Sequence, residues 1–210
     1  MKCGYKPSKL TGNEPVFTPT KNIKLPARYS YKNFLGKIMN QGDTYECVPY
    51  SIATHLNWNH NVDKKKELIN DNKIVTHDIY NARRDKSKDD GMQIIDALNY
   101  LKSTGTRYVG GIMKIRNYAK VNSDLALKYA LVMNGPCIGA LRVYHTGTEF
   151  WNREYQGQEM LGGHAIAIVG YNDNGFILRN SWGTSWGNRG YATIKYDEFK
   201  KFLEIWTIFD

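Results

Sequence analysis

The apolar periodicity of this chain changes character once, at Asn134-Gly135-Pro136, and that switch limits what it can fold into. Upstream, three segments carry helical spacing. Residues 47–58 set Ile52 and Leu56 on one face with Tyr50 adjoining, and Pro49 is compatible only with a first turn, which puts Cys47 at a helix N-terminus. Residues 92–101 repeat Ile94, Ile95, Leu98 and Leu101 behind the polar start Asp89-Asp90-Gly91, and residues 124–133 run into the Asn-Gly-Pro stop. Downstream, residues 138–144, 164–171, 175–179 and 190–195 are short β-branched, aromatic and small-residue runs separated by Gly and Asn. Helices first and strands second predict an α+β fold with two segregated lobes.

At 210 residues with 41% hydrophobic and 23% charged residues, the chain is sized for one domain or two small lobes, not a disordered tail. Residues 1–24 are different. Pro7, Pro15 and Pro19, with five lysines against the single acid Glu14, predict an extended basic arm that does not pack. The expected organisation is therefore an arm at 1–24, a helical lobe at 25–120 and a β-rich lobe at 121–210. The charge of +9 admits nonspecific electrostatics. Its lysines are scattered, as in the surface runs Lys64-Lys65-Lys66 and Arg83-Arg84-Asp85-Lys86, and no nucleic-acid motif accompanies them, so no specific nucleic-acid partner is expected. No run approaches the roughly 18 apolar residues of a membrane helix. The first residues lack a secretory h-region and the cysteines number three, so the expectation is a reducing compartment such as the cytoplasm, with free thiols and no structural disulfide.

Three polar residues sit where plain packing does not explain them. Cys47 begins a helix, where unpaired N–H groups and the helix dipole favour a thiolate, predicting a lowered pKa. His164 follows Gly162-Gly163 and opens the apolar strand Ala165-Ile166-Ala167-Ile168-Val169. Asn180 ends the next strand. A turn centred on Asn172-Asp173 pairs it with Ala165, and one centred on Asp173-Asn174 pairs it with Ala167, so an amide oxygen lies near the imidazole in either case. Nucleophile, base and orienter are the parts of a thiol acyl-transfer site. Cys137 reads as core filler, Cys3 as exposed and incidental, and His55, His60 and His145 as surface histidines with no metal role. No cofactor is expected.

In Gln41-Gly42-Asp43-Thr44-Tyr45-Glu46-Cys47, in Gly162-Gly163-His164-Ala165 through Val169-Gly170-Tyr171, and in Arg179-Asn180-Ser181-Trp182-Gly183-Thr184-Ser185-Trp186-Gly187-Asn188-Arg189-Gly190-Tyr191, the chain resembles the papain-like cysteine peptidases. His164 and Asn180 fall 117 and 133 residues after Cys47, somewhat compact for that family. The resemblance implies a helical lobe and a β-barrel-like lobe with the active-site cleft between them, and a cysteine endopeptidase acting on peptide or protein substrates. Cys47 is then the nucleophile, His164 its acid–base partner, and Asn180 the orienter. Gln41 and the Cys47 N–H stabilise the oxyanion, and Trp182 shields the His164–Asn180 hydrogen bond. Gly91, Met92, Ala140 and Ala165 become substrate-binding residues.

Departures from the pattern carry expectations of their own. Thr44 replaces a frequent disulfide cysteine, and Leu25-Pro26 resembles the mature start, with residues 1–24 in place of a folded pro-domain as a detachable cover or docking arm. Tyr45, Glu46 and Val48 replace small residues and a tryptophan. A Glu46 carboxylate facing the cleft would oppose the thiolate, favour basic substrates and anchor a lysine of the arm. The alternative function is a catalytically silent papain-fold component of a larger assembly that binds peptide without cutting it.

Overall fold

The computed structural model describes residues 2–20, 23–64, 76–108 and 110–210; Lys21, Lys65 and Lys66 of the basic stretches lie outside these. Along the chain run β1 (Tyr5–Lys6), β2 (Tyr29–Ser30), α1 (Cys47–Lys64), α2 (Thr76–Tyr80), β3 (Met92–Gln93) and α3 (Ile94–Ser103). The hairpin β4 (Thr106–Tyr108) and β5 (Gly111–Met113) follows, then β6 (Asn117–Lys120), α4 (Asp124–Asn134), β7 (Cys137–Val143), β8 (Gly162–Asn172), β9 (Gly175–Arg179), β10 (Tyr191–Lys195) and β11 (Phe202–Phe209).

Helix α1 is buried on nearly all sides from Cys47 to Asn57, which makes it the central helix of the structure. It begins at Cys47 with Pro49 in its first turn, where a missing N–H costs nothing. It continues past Trp58 because Asn59-His60-Asn61-Val62 contains no breaker. Its burial corrects the reading of His55, whose ring is fully buried and bridges the Pro136 carbonyl and the Asp210 carboxylate, each at 2.8 Å. The expected helix from Met92 starts two residues later, because Met92 and Gln93 are taken into a parallel ladder with Tyr5 and Lys6.

The β-rich half is one antiparallel sheet ordered β10-β9-β8-β7-β11-β6, with β2 added to β8. It is an open sheet and not a closed barrel. Its last strand, β11, lies between β7 and β6 and was not anticipated, since the sequence reading ended its strands at Lys195. Strand β6 joins this sheet rather than the helices. Strands β7 and β8 are covered on both faces. Ala165 packs in the core that holds Cys47, and Ala167 and Val169 pack in a cluster with Tyr31 and Leu35. Ile166 and Ile168 face a second core with Leu127 and Leu131 of α4, Phe150 and Trp182. α4 starts on an N-cap, Ser123 Oγ accepting from the Ala126 N–H at 3.1 Å, and ends at Gly135, where a Cβ would lie 2.1 Å from the Trp58 ring.

Candidate active site

The start of α1 abuts the start of β8. The Ala165 N–H donates to Cys47 Sγ at 3.4 Å, so His164 is the residue directly preceding the thiol's neighbour. His164 Nε2–H donates to Asn180 Oδ1 at 2.7 Å. An amide oxygen can only accept, so this bond fixes the proton on Nε2 and leaves Nδ1 as the basic nitrogen. Nδ1 is buried and has no hydrogen-bond partner in the protein. The Ser181 N–H also donates to Asn180 Oδ1 at 2.8 Å and holds the amide in place.

A β-bulge makes this pairing possible. Asn172 pairs with Gly175, so the turn is Asp173-Asn174, yet beyond Tyr171 and Gly170 the register shifts, and Ile168 and Ala167 pair with Leu178 and Arg179. Val169 is the extra residue. Continued by one position, Asn180 falls opposite Ile166, on the same face as His164, whereas either unbulged register places it opposite Ala165 or Ala167 on the other face.

Trp182 lies over His164 with ring centroids 4.5 Å apart, and Phe150 meets the imidazole edge-on at 5.5 Å. These rings keep water from the His164–Asn180 bond. Gln41 is buried, its Oε1 accepting from the Ser181 hydroxyl at 2.7 Å while its Nε2 donates to the Thr44 carbonyl at 2.9 Å and the Lys2 carbonyl at 3.4 Å. Residues 39–41 are tied to 181–183 by Gln41 N–H to Ser181 O and Gly183 N–H to Met39 O. Ser181 and Phe150 were missed by sequence reasoning. Ser181 stands beside Asn180 in the motif, whereas Phe150 lies in a loop with no periodic signal.

The sequence matches the description "papain family cysteine protease" over residues 29–204. The chain belongs to the papain family of cysteine proteases. It is 26% identical over 218 aligned positions to mouse (Mus musculus) cathepsin K, covering 90% of this chain and spanning 65% of that relative's length. Its fold is similar to xylellain, a cysteine protease from Xylella fastidiosa, with a TM-score of 0.81 at 22% identity over 99% of this chain and 95% of that one. It is also similar to a procathepsin B from Trypanosoma congolense, with a TM-score of 0.78 at 15% identity over 99% and 86%.

In this papain-family chain the cleft is filled by its own N-terminal segment. The Gly4 carbonyl accepts from the Met92 N–H at 2.8 Å, and Tyr5 and Lys6 pair in parallel with Met92 and Gln93. Position 4 admits only glycine: a Cβ there would lie 1.9 Å from the Tyr45 carbonyl oxygen, and one on Gly91 would lie 2.1 Å from the Gly4 oxygen. Tyr5 is buried in one cluster with Cys47, Met92, Ala140 and Ala165, the predicted pocket residues. At its far end lies Glu204, a buried carboxylate that also accepts from Ser8 Oγ at 2.9 Å and Trp206 Nε1 at 2.7 Å. Burial, followed by the charge and hydrogen bond of Glu204, raises the Tyr5 hydroxyl well above its ordinary pKa. Glu204 had no motif to mark it. Farther on, Phe17 is buried, and the segment pairs with β6 through Phe17 N–H to Lys120 O at 2.8 Å and Lys120 N–H to Pro15 O at 2.7 Å.

Residues 2–8 and 15–17 are therefore held through backbone pairing, with Gly4, Tyr5 and Phe17 buried, against the expectation of an unpacked arm, because the cleft and the β6 edge supply backbone partners that composition cannot reveal. Lys6 pairs with Asp90, and Lys2 lies 4.0 Å from Asp43. Glu46 anchors neither. Its carboxylate binds His77 Nδ1 at 2.9 Å and the Thr76 hydroxyl at 3.2 Å, on the α2 side. Cys3, expected to be exposed, is half-buried against Gly162.

The packing around the site overturns the predicted acidity of Cys47. Burial pushes the thiol up to about 12, outweighing hydrogen bonds from the Ala165 and Gly4 N–H groups that favour the thiolate. Burial also pulls His164 down to about 4, against the opposing effect of its bond to Asn180. With the segment in place the pair is a thiol and a neutral imidazole.

Proposed function

We propose that this chain is a cysteine endopeptidase that cleaves peptide bonds through a thioester acyl-enzyme and is held latent by its own N-terminal segment. The observation that carries the reading is Cys47 Sγ at the start of α1, against the N–H of Ala165, the residue that follows His164, whose imidazole is oriented by Asn180. When the segment leaves, water returns to the site and the charged pair becomes favourable: Cys47 gives its proton to His164 Nδ1. The thiolate attacks the substrate carbonyl carbon. The oxyanion is received by Gln41 Nε2 and the Cys47 N–H, one of the helix-end donors without an intrahelical acceptor. His164 Nδ1–H then protonates the leaving amine, and the thioester is hydrolysed by water deprotonated at the same nitrogen.

Latency follows from how the segment presents itself. The Gly4 N–H acts on Cys47 as a donor that favours the thiolate, and the Gly4 carbonyl is taken up by the Met92 N–H at 2.8 Å. The cleft holds a continuous chain from Lys2 to Ser8, which supports endopeptidase action over trimming of ends. The alternative reading, a silent peptide-binding component, draws on the same filled cleft. One measurement separates them: intact-mass analysis of a chain starting at Leu25 after a thiol-directed peptide-mimic inhibitor, with Cys47→Ala as control. Labelling confined to Cys47 together with peptide turnover supports the enzyme, and no labelling and no turnover supports the silent component.

A further inference from the structure

We propose that Cys3 and Cys47 form a reversible disulfide that locks the N-terminal segment in the cleft under oxidation. The proposal rests on Cys47 being the reactive thiol of the preceding section. Cys3 stands between Lys2, whose carbonyl accepts from Gln41 Nε2 at 3.4 Å, and Gly4, which lies against the Tyr45 carbonyl, so it faces the stretch that leads into Cys47, and its charge reaches that thiol. Bridging needs the two Cα atoms within about 7 Å and the Cys3 side chain turned from Gly162 toward the start of α1. The Cys3 side chain occupies the correct side of the cleft. It packs against Gly162, two residues before His164, where a Cβ would lie 2.6 Å from Cys3 Cβ and 3.5 Å from its sulfur. Both thiols are free in the reduced chain, and Cys137, the only other cysteine, is fully buried in the second core.

The chemistry needs an oxidant, and a hydroperoxide suffices. When the segment lifts, the Cys47 thiolate attacks hydrogen peroxide, the O–O bond breaks, and Cys47 becomes a sulfenic acid with release of one water after protonation. When the segment returns, the Cys3 sulfur attacks the sulfenic sulfur, the S–O bond breaks, and a second water leaves as the disulfide forms. The two thiols are oxidised and the peroxide is reduced to water. An external thiol reverses the bond by exchange. The latch thus stores Cys47 in a recoverable form, shielded from sulfinic acid.

The test uses the full reduced chain exposed to an excess of hydrogen peroxide, digested without reductant and analysed by mass. The expected product is the Cys3 peptide joined to the Cys47 peptide with loss of two hydrogens, with iodoacetamide labelling of Cys47 in the full chain down at least tenfold and restored by dithiothreitol. In Cys3→Ser the cross-link is absent, Cys47 proceeds to sulfinic acid, and dithiothreitol restores little. Peroxide-treated wild type carrying sulfinic Cys47 without the joined peptide would overturn the latch, as would Cys3→Ser recovering as fully as wild type. The cross-link is read by mass and needs no turnover. A reduced Gly4→Ala chain that cross-links yet hydrolyses no peptide would therefore overturn the peptidase reading and leave the latch standing.

Discussion

The Met92 N–H donates to the Gly4 carbonyl at 2.8 Å across 88 residues of chain, and through that bond the N-terminus closes the cleft of its own fold. The slot between Tyr45 and Gly91 is too narrow for a Cβ on residue 4. Gly4→Ala should weaken the closed state by about 1–3 kcal/mol, the usual cost of overpacking, and raise iodoacetamide labelling of Cys47 roughly ten- to a hundredfold. An unchanged labelling rate would show that the segment is not what shields the thiol.

Gln41 is predicted to act on the transition state alone. Its Nε2 is aimed by the Ser181–Gln41 bond at a site where the Lys2 carbonyl oxygen now sits. Gln41→Ala, compared in Leu25-start chains, should lower kcat by about 10²–10³ with little change in KM, the loss of one oxyanion donor. A fall in KM-governed binding with kcat intact would remove Gln41 from that role.

Acid should destabilise the folded chain. Burial holds His164 near 4, below its ordinary 6.5, so the unfolded chain binds more protons once the pH drops below about 6.5. A depressed histidine contributes stability that is present above its ordinary value and lost as pH falls, here by at most roughly 3 kcal/mol by pH 4. The check is the urea midpoint of the full chain, which should fall from pH 7 to pH 4 and fall less in His164→Gln. An equal fall in His164→Gln would contradict the assignment.

The pocket filled by Tyr5 should select substrates through Glu204. Its floor is a buried carboxylate already holding a hydroxyl, so the open cleft should favour tyrosine or a basic side chain there over leucine. Glu204→Gln should erase the preference for a basic residue by at least tenfold in kcat/KM while leaving tyrosine substrates within a fewfold. Equal treatment of all three side chains by wild type would show that the carboxylate does not meet the substrate. Glu46 is not expected to share this role, because His77 and Thr76 engage its carboxylate.

The local code of this chain determined the start of α1 at Cys47, the bounds of β9 and the extent of α4 to within one residue, because periodicity, turn chemistry and short motifs act within a few positions. What remained for the tertiary structure was long-range. Whether Asn180 faces His164 depended on one extra residue at Val169, and a one-residue slip inverts every side chain of a strand while leaving its composition untouched. Met92 and Gln93 became strand because Tyr5 and Lys6 arrived beside them, and the Cys47 thiol became a weaker acid because the packing around it excluded water. A helix N-terminus favours a thiolate locally, but burial is a property of everything packed around it, and here it is the larger effect.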